Sequence, residues 1–416
     1  MHFIVARDTL RAGLQTVLGS VPSTAPIPIL KHVLLTLAPT GQLRLAAGNL
    51  TFQIAHELSV ECLEPGCTTV PAHACHELVQ NLPAAPLELR SDSSDQAILT
   101  CGRSQYQLLG LPPEQFPNWD HSPDPDQGPV LSVSLPVASV ATAFRQVLFA
   151  TAKDDALPLL TGVLFEFQPD RLLLAATDRH RLAFQYLPYL APPDLTDPVQ
   201  AIVPARAVRE LARLLRASLN GPASRPEPGP GPAAPSDSEP ELAARSRPEP
   251  QPTELLQVQL AGNLIRFQCQ ASCLATRLIE GRYPDPTRVL PDHAVSTLTL
   301  DRSELRAALK RSQVIVRHDT HPPISLLFQP DQLVLTASSS ARGKAREELP
   351  ALLEGEPGQV SFCVTYLLDV LAVLETDQVQ LALAGPNLPG RVTDPAQPDY
   401  FYLVMPLQFL DSLDQA

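Results

Sequence analysis

A chain of 416 residues is too long for one ordinary hydrophobic core, and 44% hydrophobic with 18% charged residues is the composition of a soluble globular protein, so two or three domains are expected. The net charge of -13 argues against a surface that binds nucleic acid indiscriminately, but leaves room for a basic stripe on one face. Seven cysteines form no CxxC pair, the opening "MHFIVARDTLRAGL" is broken by Arg7 and Asp8 after a short apolar run, and no stretch approaches the roughly 18 apolar residues of a membrane span. A reducing, cytoplasmic setting with no membrane association is expected.

The first elements are a helical pattern, "RDTLRAGLQTVL" from Arg7, and a strand, "PILKHVLLTL" from Pro28. An alternating strand pair, "GQLRLAAGNLTFQIAHEL" from Gly41, leads to a second helical pattern, "PAHACHELVQNLP" from Pro71. The order then recurs: "VASVATAFRQVL" from Val137, "PLLTGVLFEF" from Pro158, "DRLLLAATDRHRLAFQYLP" from Asp170 and "PARAVRELARLLR" from Pro204. It recurs once more as "DRSELRAALKRS" from Asp301, "PPISLLF" from Pro322, "DQLVLTASSSARGKAREELP" from Asp331 and "VTYLLDVLAVLET" from Val364. Leu43 to Leu172 is 129 residues and Leu172 to Leu333 is 161. The excess of 32 matches a segment inside the second unit, Asn220 to Thr253, with ten prolines in 34 residues and too few apolar side chains to offset its ordering entropy. It reads as a disordered or polyproline-like insertion.

The expected fold class is α+β: three repeated domains, 1–126, 127–292 and 293–416, each with two helices and about eight antiparallel strands. Repeats of this kind pack edge to edge, and closing the array into a head-to-tail ring removes its open strand edges. The helical windows carry a net charge of about +4 in a chain of -13, with Arg206, Arg209, Arg213 and Arg216 spaced as one stripe. Arg302, Arg306, Lys310 and Arg311 decorate the first helix of the third unit, and Arg7, Arg11 and Arg145 the matching helices before it. "VTYLLDVLAVLET" is acidic, and His73 and His76 stand where Arg or Lys fits the pattern. Helices about 10 Å wide set the circumference: six enclose a gap of about 9 Å and twelve nearly 30 Å. Twelve admit a DNA duplex about 20 Å across, which is two chains of three units.

Several blocks, in order, resemble one family: "PIL" at Pro28, "CGRSQYQLLGLPPEQFPNW", "ATDRHRLA", "IVPARAVREL", "GRYPDPTRVLP", "TYLLDVL" and "YLVMPL". The chain is similar to the bacterial DNA sliding clamp, the β subunit of the replicative polymerase, from Met1 to Phe409 apart from the insertion. The resemblance implies three clamp domains in a head-to-tail dimeric ring that encircles double-stranded DNA without sequence preference. It implies a processivity factor, not an enzyme, with no cofactor, that tethers the replicative DNA polymerase, the clamp loader and repair and mismatch-repair proteins, cytoplasmic and nucleoid-associated. Carried over by position, a pocket for partner peptides takes in Leu160, Thr177, Arg179, His180, Arg181, Leu182, Pro284, Arg288, Val289, Tyr366, Val404, Met405, Pro406 and Leu407. The DNA-facing set is Arg7, Arg11, His73, Arg145, Lys153, Arg206, Arg209, Arg213, Arg302, Arg306, Lys310 and Arg311. The homodimer interface falls near Tyr106 and Leu108 of one chain and Val314 and Ile315 of the other.

The chain departs from the family pattern at several points. The family turn is usually T-D-G-H-R-L, and Arg179 replaces the glycine, a long cation that can narrow the pocket or recognise an acidic ligand. Thr24 and Ala25 stand where a basic residue often precedes "PIL", and "DDALPLL" leaves Lys153 as the candidate DNA contact. A tail continues past the usual end, and its "QFLDSL", Gln408 to Leu413, loosely resembles a docking peptide. A clamp paralogue with an altered partner set fits the same residues. "HACHE" lacks the Pro-Cys-x-x-Cys of a zinc deaminase, and "DRHRL" is not a kinase catalytic loop. Asp178, His180 and a hydroxyl from Thr177 or Ser339 match a hydrolase triad in type, without a nucleophile turn.

Overall fold

Apolar residues at helical spacing in Arg7–Leu18 demand one buried face, and in the computed structural model Leu10, Gly13, Leu14 and Val17 form it. The structure describes residues 1–92, 95–117, 131–154, 156–220, 254–291 and 293–407. Most of the proline-rich insertion, the tail from Gln408 and the expected boundary at 126–127 lie outside those residues.

The first repeat runs β1 (His2–Ala6), α1 (Arg7–Leu18), β2 (His32–Leu37), β3 (Gln42–Gly48), β4 (Phe52–Ser59), β5 (Glu61–Glu64), β6 (Gly66–Pro71), α2 (Ala72–Asn81), β7 (Pro86–Ser91), β8 (Gln96–Cys101) and β9 (Ser104–Leu109). The second runs β10 (Leu131–Pro136), α3 (Val137–Val147), β11 (Gly162–Phe167), β12 (Arg171–Thr177), β13 (Arg181–Pro188), β14 (Val199–Pro204), α4 (Ala205–Leu219), β15 (Leu255–Ala261), β16 (Leu264–Cys269) and β17 (Ser272–Arg277). The third runs β18 (Ser296–Asp301), α5 (Arg302–Val316), β19 (Pro323–Gln329), β20 (Gln332–Ser339), β21 (Gly343–Pro350), β22 (Leu352–Gly355), β23 (Gly358–Cys363), α6 (Val364–Val373), β24 (Gln378–Leu383), β25 (Gly390–Thr393) and β26 (Tyr400–Val404). The helix and strand order matches in all three. Among the described residues, the middle repeat lacks a counterpart of the short strands β5 and β22.

The chain divides into two compact units, and the division passes through the middle repeat. One unit comprises Met1–Ala141 and Glu210–Thr276, the other Thr142–Arg209 and Arg277–Ala416. The first holds a five-stranded sheet, β5-β1-β7-β8-β9, and an eight-stranded sheet, β10-β15-β16-β17-β4-β3-β2-β6. The second holds a nine-stranded sheet, β14-β11-β12-β13-β26-β25-β24-β18-β22, and a four-stranded sheet, β21-β20-β19-β23. Every pairing recorded is antiparallel, both within hairpins and across the joints between distant segments.

The two long sheets are each made by joining short ones. In the first unit β17 adds to β4, with Leu274 opposite Ile54. In the second β26 adds to β13, with Tyr402 opposite Ala183. All four of these side chains are buried. Helices cover the sheets closely: at Gly13 an added Cβ would lie 2.7 Å from Leu45 and Leu58, so α1 sits on β3 and β4 only because that position has no side chain.

Phe184 on β13 is fully buried and stacks on Phe401 of β26 with ring centroids 4.8 Å apart and planes 15° apart. The same core holds Leu164, Leu173, Ile202 and Leu403. Replacing Phe184 with Ala removes this contact and leaves a cavity across the joint, so stability should fall by about 3–5 kcal/mol. Urea unfolding of the two proteins checks it.

Candidate functional site

The segment Thr177 to Arg181 is polar because its backbone needs polar side chains to close a tight turn between β12 and β13. Asp178 Oδ1 accepts from the backbone N–H groups of His180 and Arg181, each at 3.0 Å. Thr177 Oγ1 donates to the Arg181 carbonyl at 2.6 Å and accepts from the Arg179 N–H at 3.2 Å. Between them Arg179 adopts φ +77°, a left-handed conformation that costs a non-glycine residue about 1–3 kcal/mol.

Arg181 ties this turn to the elements around it. Its side chain is 6% exposed, with Nε on Asp178 at 3.0 Å, Nη1 on Asp369 at 2.6 Å and Nη2 on the Phe149 carbonyl at 2.7 Å. The guanidinium also lies 4.5 Å from the Tyr366 ring centroid. Burial opposes its charge, but the hydrogen bond to Asp369 and the nearby carboxylates outweigh it and hold the guanidinium above its ordinary pKa. The planar fork meets three acceptors in fixed directions, which a lysine does not reproduce.

Several of the expected pocket residues lie beside this network. Leu182 pairs with Leu403 and Arg181 with Val404 across the joint, and the His180 carbonyl accepts from Met405 N–H at 2.8 Å. Leu160, Leu182 and Val404 are buried, the first two in the same core cluster as Tyr283. Tyr366 projects from α6, and Tyr402 Oη donates to its carbonyl at 3.0 Å. Burial pushes the Tyr366 phenol up to about 12, so it stays a neutral donor at physiological pH. Pro284, Arg288 and Val289 follow Tyr283, and Arg288 Nε lies 3.3 Å from Asp285. Leu407 N–H donates to the Ser361 carbonyl, which ties the chain after β26 to β23. Met405 is 41% and Val289 50% exposed, and Arg179 and His180 are exposed too. An apolar surface with polar groups at its margin can take up an extended peptide. The buried Arg181 guanidinium is engaged by Asp178, Asp369 and the Phe149 carbonyl and so braces the turn beside this surface.

Sequence reasoning passed over four contributors. The phenol oxygen of buried Tyr283 accepts from the Thr177 N–H at 3.1 Å, and the Phe149 carbonyl accepts from Arg181. His321 brings its ring 5.1 Å from His180 and its Nδ1 3.4 Å from the Tyr366 hydroxyl. Asp369 balances Arg181, and here a signal existed: Tyr366 and Asp369, three apart in "TYLLDVL", share one helix face. No local signal marks His321 or Phe149.

The expected DNA-facing cations divide into two groups. Arg7 donates to the Leu82 carbonyl and to Asp8, while Arg302 donates to the Thr376 and Leu371 carbonyls. Each holds the start of its repeat's first helix to the end of the second, where the carbonyls favour a cation. Arg145 pairs with Glu375, Arg213 bonds Glu210 and the Thr16 carbonyl, and Arg311 makes a two-pronged bond with Glu347. Arg306 is half-buried and its Nε lacks a partner among the described residues. Arg11, His73, Lys153, Arg206, Arg209 and Lys310 are at least half-exposed or solvent-facing; Arg11 Nε is 3.6 Å from Asp8, and Arg209 touches Thr151 at 3.4 Å. At the expected interface Tyr106 and Ile315 are half-buried, Leu108 is buried in its own sheet and Val314 is 61% exposed. In "HACHE", Cys75 is a core side chain whose thiol burial pushes up to about 12.

Replacing Arg181 with Met strands Asp178 and Asp369 and removes the Phe149 anchor. Stability should fall by about 3–5 kcal/mol, as when one partner of a buried ion pair is removed, and Arg181→Lys should recover only part of it. Thermal and denaturant unfolding of the three proteins checks this.

The matches to known proteins cover the same ground. Models described as DNA polymerase III beta subunit match in three parts: the N-terminal domain at residues 1–120, the central domain at 134–221 and the C-terminal domain at 287–408. The chain is 29% identical to the beta sliding clamp of Pseudomonas putida over 410 residues, 98% of this chain and 100% of that one. It is 29% identical to the beta sliding clamp of Escherichia coli over 409 residues, again 98% and 100% of the two chains. The crystal structure of the DNA polymerase III subunit beta from Pseudomonas aeruginosa superposes with a TM-score of 0.83 at 28% identity, covering 98% of this chain and 100% of that one.

Proposed function

The chain belongs to the bacterial β sliding clamp family, and we infer from its own residues how it carries out that family's work as a DNA polymerase processivity factor, ringing duplex DNA and holding the polymerase on it. The observation that carries the reading is the strand left over. Within the chain, the last strand of one repeat twice adds to the third of the four central strands of another, as β17 on β4 and β26 on β13. That rule leaves β9 and β21, each paired on one side only among the described residues. A second chain in the same relation joins β9 to the partner's β21 and β21 to the partner's β9. Six domains then close with no such edge open, and no further subunit is needed.

The internal joints also specify the register. Leu274, Tyr402 and Tyr106 are the third residues of β17, β26 and β9, and Ile54, Ala183 and Ala345 are the third residues of β4, β13 and β21. Tyr106 should therefore lie opposite Ala345 of the partner subunit. The helix fits as well: Phe149, twelve residues after the start of α3, packs 5.6 Å from Tyr402, and Val314 stands twelve residues after the start of α5. Val314 is then exposed because it is covered by the partner's Tyr106. Cysteines at positions 106 and 345 should yield a disulfide-linked dimer on mild oxidation, since facing residues in an antiparallel pair lie within disulfide reach. Each single variant should stay uncrosslinked, and a pair moved to 106 and 346 should crosslink far less; gel mobility without reductant reads all three.

On this reading the domain boundaries are placed at 126–127 and 292–293. Lys153, Arg206, Arg209, Lys310 and Arg11 reach solvent and can meet phosphates through water, giving weak, salt-dependent and sequence-independent contact. The protein acts by topology and not by catalysis. The Met405–Tyr366–Val289 surface is the dock for peptides of the polymerase, the clamp loader and repair and mismatch-repair proteins, in the cytoplasm at the nucleoid. Among the described residues no helix is long and apolar enough to cross a membrane.

A ring retained by encirclement behaves differently on closed and open DNA. Loaded by a bacterial clamp loader, the protein should remain on nicked circles through gel filtration at about 0.2 M salt and be lost once the circle is cut. Equal retention on circular and linear DNA refutes encirclement.

A further inference from the structure

We propose that Arg179 is a specificity residue that makes this clamp prefer partner peptides carrying a carboxylate beside their apolar anchors. The proposal rests on the docking surface described above. Three observations carry it.

First, Arg179 bears a left-handed backbone that the glycine usual at this place would adopt without strain. The equivalent turn of the first repeat uses the same device: Asn49 Oδ1 accepts from the N–H groups of Thr51 and Phe52 at 2.8 and 3.0 Å. Leu50 fills the position of Arg179 there, and it is not left-handed. Strain at one of two equivalent turns points to a role for the side chain that bears it.

Second, the Arg179 side chain is exposed and has no hydrogen bond or ion pair with a described residue. Its next neighbour, His180, is hydrogen-bonded through its carbonyl to Met405 and packs its ring near Tyr366 and His321. The free cation therefore stands at the margin of the apolar surface.

Third, the carboxylates in this network are already engaged. Asp178 accepts three bonds, two from backbone N–H groups and one from Arg181, and Asp369 holds Arg181. Asp285 accepts from the Thr287 N–H and hydroxyl and pairs with Arg288. In a chain of net charge -13, this margin offers a guanidinium with no anion bonded to it among the described residues. Its complement is a carboxylate on the ligand, which guanidinium binds through paired N–H groups.

The test measures fluorescence anisotropy with synthetic decapeptides that contain a glutamine and two leucine anchors. An aspartate is placed in turn at each position flanking the anchors, with its asparagine counterpart as reference. The full-length protein should bind the aspartate form about fivefold more tightly at one or more positions, as expected for an exposed charge pair, and the advantage should shrink with added salt. Arg179→Gly should bring that ratio to about one, and Arg179→Glu should invert it. The glycine variant should melt at or above the parent's temperature, which confirms that it is folded. A parent ratio of one at every position, or an unchanged ratio in Arg179→Gly, overturns the proposal. Met405→Glu separates the two readings: loss of both peptide forms supports the docking surface. Unchanged binding of both forms by Met405→Glu, with the Arg179 effect intact, keeps the charge recognition and rejects the dock. If the parent protein binds neither form, both readings fall.

Discussion

The constraint on which everything else rests is that a strand edge must find a partner. Each repeat presents short sheets whose outer strands carry unpaired N–H and C=O groups, and such edges either pair or invite uncontrolled association. The chain answers this twice within itself, by running β17 onto β4 and β26 onto β13 in matching register. Buried side chains at corresponding positions then weld each joint into one continuous sheet. Repetition of a single joint leaves β9 and β21 each paired on one side only among the described residues, which are the ends the proposed dimer brings together.

The joint at β13 and β26 has acquired a second use. Its strand ends, the turn at Asp178 and the first residues of α6 converge there, and Arg181 binds them together through Asp178, Asp369 and the Phe149 carbonyl. In the first repeat, Phe52 begins the equivalent strand and is buried as an apolar side chain. Replacing an apolar core residue with a bonded arginine does not add stability by itself, because desolvation offsets the attraction. It does fix directions. A rigid turn beside Met405 and Tyr366 presents the neighbouring exposed groups in one arrangement, the preorganisation that the proposed peptide dock needs.

Many of the basic residues on the helices serve architecture first. Arg7 and Arg302 stand at the same position of equivalent helices and bond the carbonyls at the end of the companion helix. Arg145, Arg213 and Arg311 are likewise held by acids or carbonyls. A charge count along the sequence registers all of them alike. Only the tertiary structure separates those already bonded from those still facing solvent, since the acceptors come from segments distant in the chain.

The sequence by itself determined the number of repeats, the order of helices and strands within each and the class of the fold. Apolar periodicity and turn residues are local properties, and repetition made each reading support the next. It also placed the expected pocket residues in contiguous stretches such as "ATDRHRLA" and "YLVMPL", two of which meet where β13 pairs with β26. What only the tertiary structure decided is which strands join across repeats, which arginines are spent internally, that Tyr283, Phe149, Asp369 and His321 complete the site, and that Arg179 is strained and unpaired. These depend on pairings between distant residues, such as the partners of Arg181 that lie 32 and 188 positions away, and on a backbone angle. Neither leaves a periodic trace in the order of the amino acids, because distant contacts are set by packing and not by spacing.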